Sequence, residues 1–163
     1  MDANDIFART RTPSFRRYLA DTLAELCRID TTPDPDVSIM RQAESVAFDI
    51  IGRELAPLAF EGLRIERRPI DPSIASHPNF SLLHFTKTPD RPDGLPVDVA
   101  YQGRANLLCL IPGTGARATG SSVALNSHVD VVAPFFPPRE VDGVMHGRGA
   151  CDDKGAVVAT VAA

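Results

Sequence analysis

His128, Asp130 and Asp152 are the residues of this chain whose types and spacing can do chemistry together. His128 and Asp130 stand two apart in Ser-His-Val-Asp-Val-Val, residues 127–132, which reads as the exposed end of a buried strand. Side chains alternate along a strand, so an imidazole and a carboxylate at that spacing share one face. A histidine that ligates a metal through one ring nitrogen usually gives its other N–H to a carboxylate or a carbonyl. On this reading His128 is a metal ligand and Asp130 the catalytic-site carboxylate that orients it. Asp152 follows in a glycine-rich turn that carries Asp152 and Asp153 into a helix, and it would add an oxygen donor to a zinc-type site. A lone histidine at a strand end is more often a satisfied polar residue than a ligand, and it is the Asp130 spacing and the downstream turn that favour ligation. Asp153 and Lys154 also suit a plain helix start, because Asp caps well and favours the positive end of the helix dipole. A solvated or capping role fits them as well as a catalytic one.

These segments resemble the first two metal-binding motifs of the zinc-dependent aminoacylase, acetylornithine deacetylase and succinyl-diaminopimelate desuccinylase family, which also holds glutamate carboxypeptidases and several dipeptidases. The family pattern is a strand ending in His-x-Asp-Val-Val, a Pro-rich aromatic loop, an Asp-Gly turn and then Gly-Arg-Gly-x-x-Asp-x-Lys-Gly. The chain carries each element in that order, at residues 128–132, 133–140, 142–143 and 147–155.

The resemblance implies a three-layer α/β/α zinc-exopeptidase-like catalytic domain with a mixed, mostly parallel sheet, present here as its N-terminal part. It implies that His128 binds one zinc, that Asp130 orients His128, that Asp152 bridges two zincs, and that the peptide bond after Asp152 is cis. Cobalt would serve as a substitute metal. The implied reaction is hydrolysis of an amide bond in N-acyl amino acids or small peptides, with two zincs activating a shared water and a Glu outside this chain as the base. The partners implied are a small-molecule or peptide substrate and a second copy of the protein, paired through a domain outside this chain. His146 stands where relatives commonly carry an aromatic, and is expected to pack or hydrogen-bond beside the loop.

The family's remaining ligands and its general base lie beyond the bridging Asp, and eleven residues follow Asp152 here. The tail from 155 to 163, Gly-Ala-Val-Val-Ala-Thr-Val-Ala-Ala, is apolar almost all round and suits a helix buried on most faces. It lacks a C-terminal glycine cap or a basic last turn. Residues 1–163 therefore read as the N-terminal part of a single catalytic domain, cut within a helix near 155–163, and two ligands alone would bind zinc weakly.

Composition sets the broad class. The chain has 163 residues, 44% hydrophobic and 23% charged, enough for a core of ordinary globular character. A formal charge of -4 argues against nucleic-acid or polybasic membrane binding. Cys27, Cys109 and Cys151 are three and widely spaced, which disfavours a disulfide scaffold or a thiolate zinc site and points to a reducing, cytoplasmic setting. No apolar signal region opens the chain, and no run of eighteen apolar residues could span a bilayer.

The elements that must position the site follow from periodicity. Apolar residues from Phe15 to Cys27 recur at helical spacing, with Ser14 as the expected cap after Pro13. A second helix is expected from about Ser38 to Leu55, and residues 63–67 alternate like a strand. Residues 69–99 are rich in Pro, Asp and Ser and read as a long loop or insertion, in which His77 and His84 take exposed polar roles. Residues 105–112 read as a continuous buried strand closed by the glycine-containing loop 113–120, which matches no phosphate-binding fingerprint. Residues 123–126 read as the next strand, leading into His128, and a site at the carboxyl end of a strand is usual in open α/β sheets.

Phe135 and Phe136 could wall a substrate pocket or cover the core. Arg148 could pair with a carboxylate or steady the turn. Two rival readings are a non-catalytic binding or structural module that keeps the fold, and a metal-free hydrolase using Cys151 beside His146.

Overall fold

The computed structural model describes residues 2–58, 61–81, 84–113 and 122–163. They group into two compact units, Met1–Thr32 with Leu125–Ala163, and Pro33–Ala124.

Among the described residues the first unit holds three helices. Helix α1, Ala3–Thr10, opens with a capping box in which Asp2 and Asp5 each accept the other's backbone N–H. Helix α2, Pro13–Cys27, starts one residue earlier than its expected cap. Thr12 accepts the N–H of Phe15, while Pro13 sits in the first turn, where a missing N–H costs nothing, and the Ser14 hydroxyl lies 3.3 Å from that of Thr12. Thr22, Leu26 and Cys27 are buried, and α2 packs on helix α5, Lys154–Ala162, through the side that buries Val157 and Val158. The expectation of a helix buried on most faces is not met, because Ala159 and Thr160 are exposed.

Strands β3, Arg139–Val141, and β4, Val144–His146, form a hairpin with Val141 opposite Val144. Asp142 and Gly143 take φ of 50° and 74°, which suits the twist of a two-residue hairpin turn and explains the Asp-Gly pair. Residues 122–130 make no strand, contrary to the reading of 123–126. A strand needs a partner for its N–H and C=O groups, and no ladder forms there among the described residues. Val123 and Leu125 are 86% and 67% exposed accordingly.

The second unit centres on helix α3, Val37–Leu55, capped by Asp36 and buried along Val37, Met40, Ala47, Ile50, Ile51 and Leu55. Strands β1, Arg64–Pro69, and β2, Ala105–Leu110, pair antiparallel from Arg64 opposite Leu110 to Pro69 opposite Ala105. Strand β2 is not the continuous buried strand expected for 105–112. It stops at Leu110, and Leu110 and Ile111 are 37% and 56% exposed. Arg104 next to it lies against Glu44 of α3 at 2.5 Å, both side chains 12% exposed.

The 69–99 stretch holds short 3₁₀ turns at Pro72–Ser76 and His84–Thr86, and helix α4, Val97–Tyr101, begins inside it. Arg91 organises it by donating to the carbonyls of Thr86 and Pro35. His77 and His84 are exposed, as expected. The loop read at 113–120 lies outside the described residues from 114 onward.

Helices with two small sheets make a mixed α/β chain. Both sheets are antiparallel pairs, so the mostly parallel sheet expected of this fold class is not formed among the described residues. Strands β3 and β4 are joined by two residues, which permits only an antiparallel pair, and β1 and β2 pair antiparallel although residues 70–104 separate them. No helix among the described residues is long and apolar enough to cross a membrane.

Candidate metal centre

Two arms of the first unit carry the site. The first, residues 128–132, is held by Thr31, just beyond α2. Its Oγ1 donates to the Val129 carbonyl at 2.6 Å, and its own carbonyl accepts the Val131 N–H at 3.3 Å. The Val131 side chain is buried, which turns Asp130 and Val132 outward.

The second arm, residues 147–155, passes close to the first at Gly149. Its φ is +85°, and a Cβ there would fall 2.7 Å from Val131 Cγ1 and 3.0 Å from Lys154 Cδ, so only glycine fits. The arm ends on Lys154, which donates to the carbonyls of Leu26 at 3.1 Å and Ile29 at 2.8 Å. The peptide bond between Asp152 and Asp153 is cis, as the resemblance implies.

This arrangement brings His128 and Asp152 together. Nε2 of His128 lies 3.1 Å from Oδ1 of Asp152, and Nδ1 lies 3.0 Å from the Asp130 carbonyl oxygen. The carboxylate of Asp130 is farther from Nδ1, at 3.4 Å. Both the carbonyl and the carboxylate of Asp130 thus lie beside Nδ1, and the carbonyl makes the shorter contact. A carbonyl only accepts, so Nδ1 carries the hydrogen and the Nε2 lone pair faces the Asp152 oxygen. Two acceptors at that separation require a proton or a cation between them.

Without a metal the surroundings favour the proton. Burial pulls the His128 pKa down, but the backbone contact with Asp130 and the charges of Asp130, Asp153 and Asp152 outweigh it, and the net shift is upward from 6.5. The Asp153 carboxylate accepts the His128 backbone N–H at 3.3 Å and makes no capping bond to α5.

The donor pair also fits a cation. Two ligands of tetrahedral zinc with bonds near 2.1 Å lie about 3.4 Å apart, close to the 3.1 Å found between Nε2 and Oδ1. The Asp152 side chain is 87% exposed, which leaves its other oxygen free for a further ligand. No group of three or more His, Cys, Asp or Glu that could hold a metal occurs among the described residues.

Around this pair lies an open depression lined by Val132, Gly147, Arg148 and Cys151 as well as by the three polar residues. Arg148 steadies the turn. Its Nε donates to the Pro134 carbonyl at 3.0 Å, its N–H to the Phe136 carbonyl at 3.1 Å, and its guanidinium lies 4.9 Å from the Phe136 ring centre. His146 is exposed on β4, opposite Arg139, and no hydrogen bond joins it to Cys151 among the described residues. The described residues thus do not show the His146–Cys151 pairing that the metal-free reading requires.

Sequence reasoning missed Thr31 and misjudged Lys154, which is neither solvated nor a cap but fully buried. Burial lowers the Lys154 pKa, against the opposing effects of Cys27, Asp30 and Asp130, and burial likewise raises the Cys27 thiol. One signal was available: a lysine that leads directly into a run of Val and Ala starts a helix with little polar surface to reach.

Residues 124–163 match the family model of Peptidase family M20/M25/M40. That segment contains both arms, and the match supports this metallopeptidase family rather than any one member of it. No curated protein and no solved structure matches the chain.

Proposed function

We propose that this chain contributes His128 and Asp152 to the zinc centre of a hydrolase that cleaves the amide bond of N-acyl amino acids or small peptides. The observation that carries the reading is the 3.1 Å approach of Nε2 and Oδ1, with Nδ1 already tied to Asp130. A preset tautomer leaves Nε2 free to donate its lone pair, which is how a histidine ligand is normally prepared. The match of residues 124–163 to a peptidase family supports the reaction class.

His128 would hold the metal through Nε2, and Asp152 through one or both carboxylate oxygens. Asp130 fixes the ring, and Asp153 anchors the His128 backbone. When bound, zinc supplies Lewis acidity, which polarises an amide carbonyl and makes water nucleophilic near neutral pH. Arg148 lines the depression and lies 4.9 Å from the Phe136 ring centre, and on this reading Phe136 would offer an apolar surface to the acyl or side-chain part of a substrate. No third ligand is grouped with these two among the described residues, and the fold proposed around them is a three-layer catalytic domain. A cytoplasmic setting and pairing through another domain complete the proposal.

Calorimetric titration with zinc tests it. The chain is expected to bind zinc weakly and His128→Ala to abolish that binding. Binding that His128→Ala leaves intact would remove the proposed centre.

A further inference from the structure

The two arms that carry His128 and Asp152 share one base. Residues 26–31, the last turn of α2 and the segment after it, hold the first arm through Thr31 and the second through Lys154. Thr31 bonds on both sides of Asp130's neighbour positions, through its hydroxyl to Val129 and its carbonyl to Val131. Lys154, two residues after Asp152, reaches the carbonyls of Leu26 and Ile29.

Both residues are buried, Thr31 at 4% exposure and Lys154 at 0%. An ammonium group is expensive to bury, and an apolar side chain would fill the same space without that cost. What the ammonium adds is direction: at the negative end of α2 it meets the carbonyl of Leu26, which also accepts the Ile29 N–H, and the carbonyl of Ile29 just beyond. Among the described residues no strand ladder fixes the first arm, whose backbone is held by Thr31 at Val129 and Val131 and by Asp153 at His128. Gly149 then lets the second arm close onto Val131.

Resting on the metal-centre reading above, we infer that Thr31 and Lys154 are positioning residues that set the separation of His128 and Asp152 from the end of α2. Neither touches the metal. Each acts through the arm it holds, as the supporting partners of metal ligands do.

The test measures zinc affinity of the full chain by competition with a chromophoric chelator, in wild type, Thr31→Val, Thr31→Ser, Lys154→Met and His128→Ala. Thr31→Val and Lys154→Met are expected to weaken zinc binding by about 10- to 100-fold, the range seen for partners of metal ligands. Thr31→Ser keeps the hydroxyl and should bind as wild type does. Cobalt(II) adds a readout of geometry. Its visible spectrum in Thr31→Val should differ from wild type, whereas a mere loss of stability lowers the folded fraction and leaves the spectrum of the bound fraction unchanged.

Wild-type affinity in both Thr31→Val and Lys154→Met, with binding lost in His128→Ala, overturns the positioning role and leaves the metal centre standing. Unchanged affinity in His128→Ala overturns both. Should Lys154→Met not fold, the Thr31 pair decides the matter.

Discussion

Nε2 of His128 and Oδ1 of Asp152 face each other across 3.1 Å while Nδ1 is occupied by the Asp130 carbonyl. The pair can therefore be bridged by a proton or by a cation, and the two compete. Asp152→Asn removes the anionic donor but keeps its shape. Zinc affinity is expected to fall at least tenfold in Asp152→Asn, measured by chelator competition, and to stay at the wild-type value in Asp142→Asn, which alters a carboxylate in the hairpin turn.

The competition fixes a pH dependence. The metal-free His128 has a folded pKa above its ordinary 6.5, so its imidazolium contacts stabilise the fold fully below that value and are lost as pH rises through the folded pKa. Zinc binding has the opposite sign, because the ligand must be neutral, and it weakens as pH falls through the same value. An NMR titration of the His128 ring protons should show a lower midpoint in Asp153→Asn, which removes one of the three nearby carboxylates. An unmoved midpoint would contradict the electrostatic account.

Gly149 and Gly143 separate crowding from backbone strain. Both have positive φ, +85° and +74°, but a Cβ at 149 meets Val131 and Lys154 while one at 143 meets nothing within 4 Å. Gly149→Ala should destabilise by about 2–4 kcal/mol through strain and overpacking together, and Gly143→Ala by about 1 kcal/mol through strain alone. Urea unfolding of both variants checks the difference.

Two ion pairs of α3 differ in burial. Glu44 and Arg104 are each 12% exposed, whereas Asp49, paired with Arg67, is 72% exposed. Glu44→Gln leaves a guanidinium largely out of water and should cost about 3 kcal/mol. Asp49→Asn should change stability by less than about 1 kcal/mol. Equal losses in denaturant unfolding would refute the burial argument.

Helix periodicity located α2 and α3 to within a residue or two, because their buried faces are long and their ends carry Thr12 and Asp36 as caps. The His128–Asp152 pairing was legible because its motif lies in one short stretch of chain. What stayed hidden depends on distant partners. Residues 123–126 have strand-like side chains, but pairing is a property of neighbours rather than of the segment. The Asp142-Gly143 hairpin had a local signal, two residues favouring positive φ between apolar ones, that was read as a turn without its strands. Thr31 and Lys154 lie 98 and 125 residues from the groups they bind, which no local pattern encodes.

Arg148 joins two features that a sequence alone keeps apart. It sits between Gly147 and Gly149 on the arm of Asp152, and it is fastened to Pro134 and stacked on Phe136. On the proposed function, a change of side chain in that aromatic loop would be passed through Arg148 to the turn that carries Asp152. Fit to the substrate and hold on the ion would then be mechanically linked.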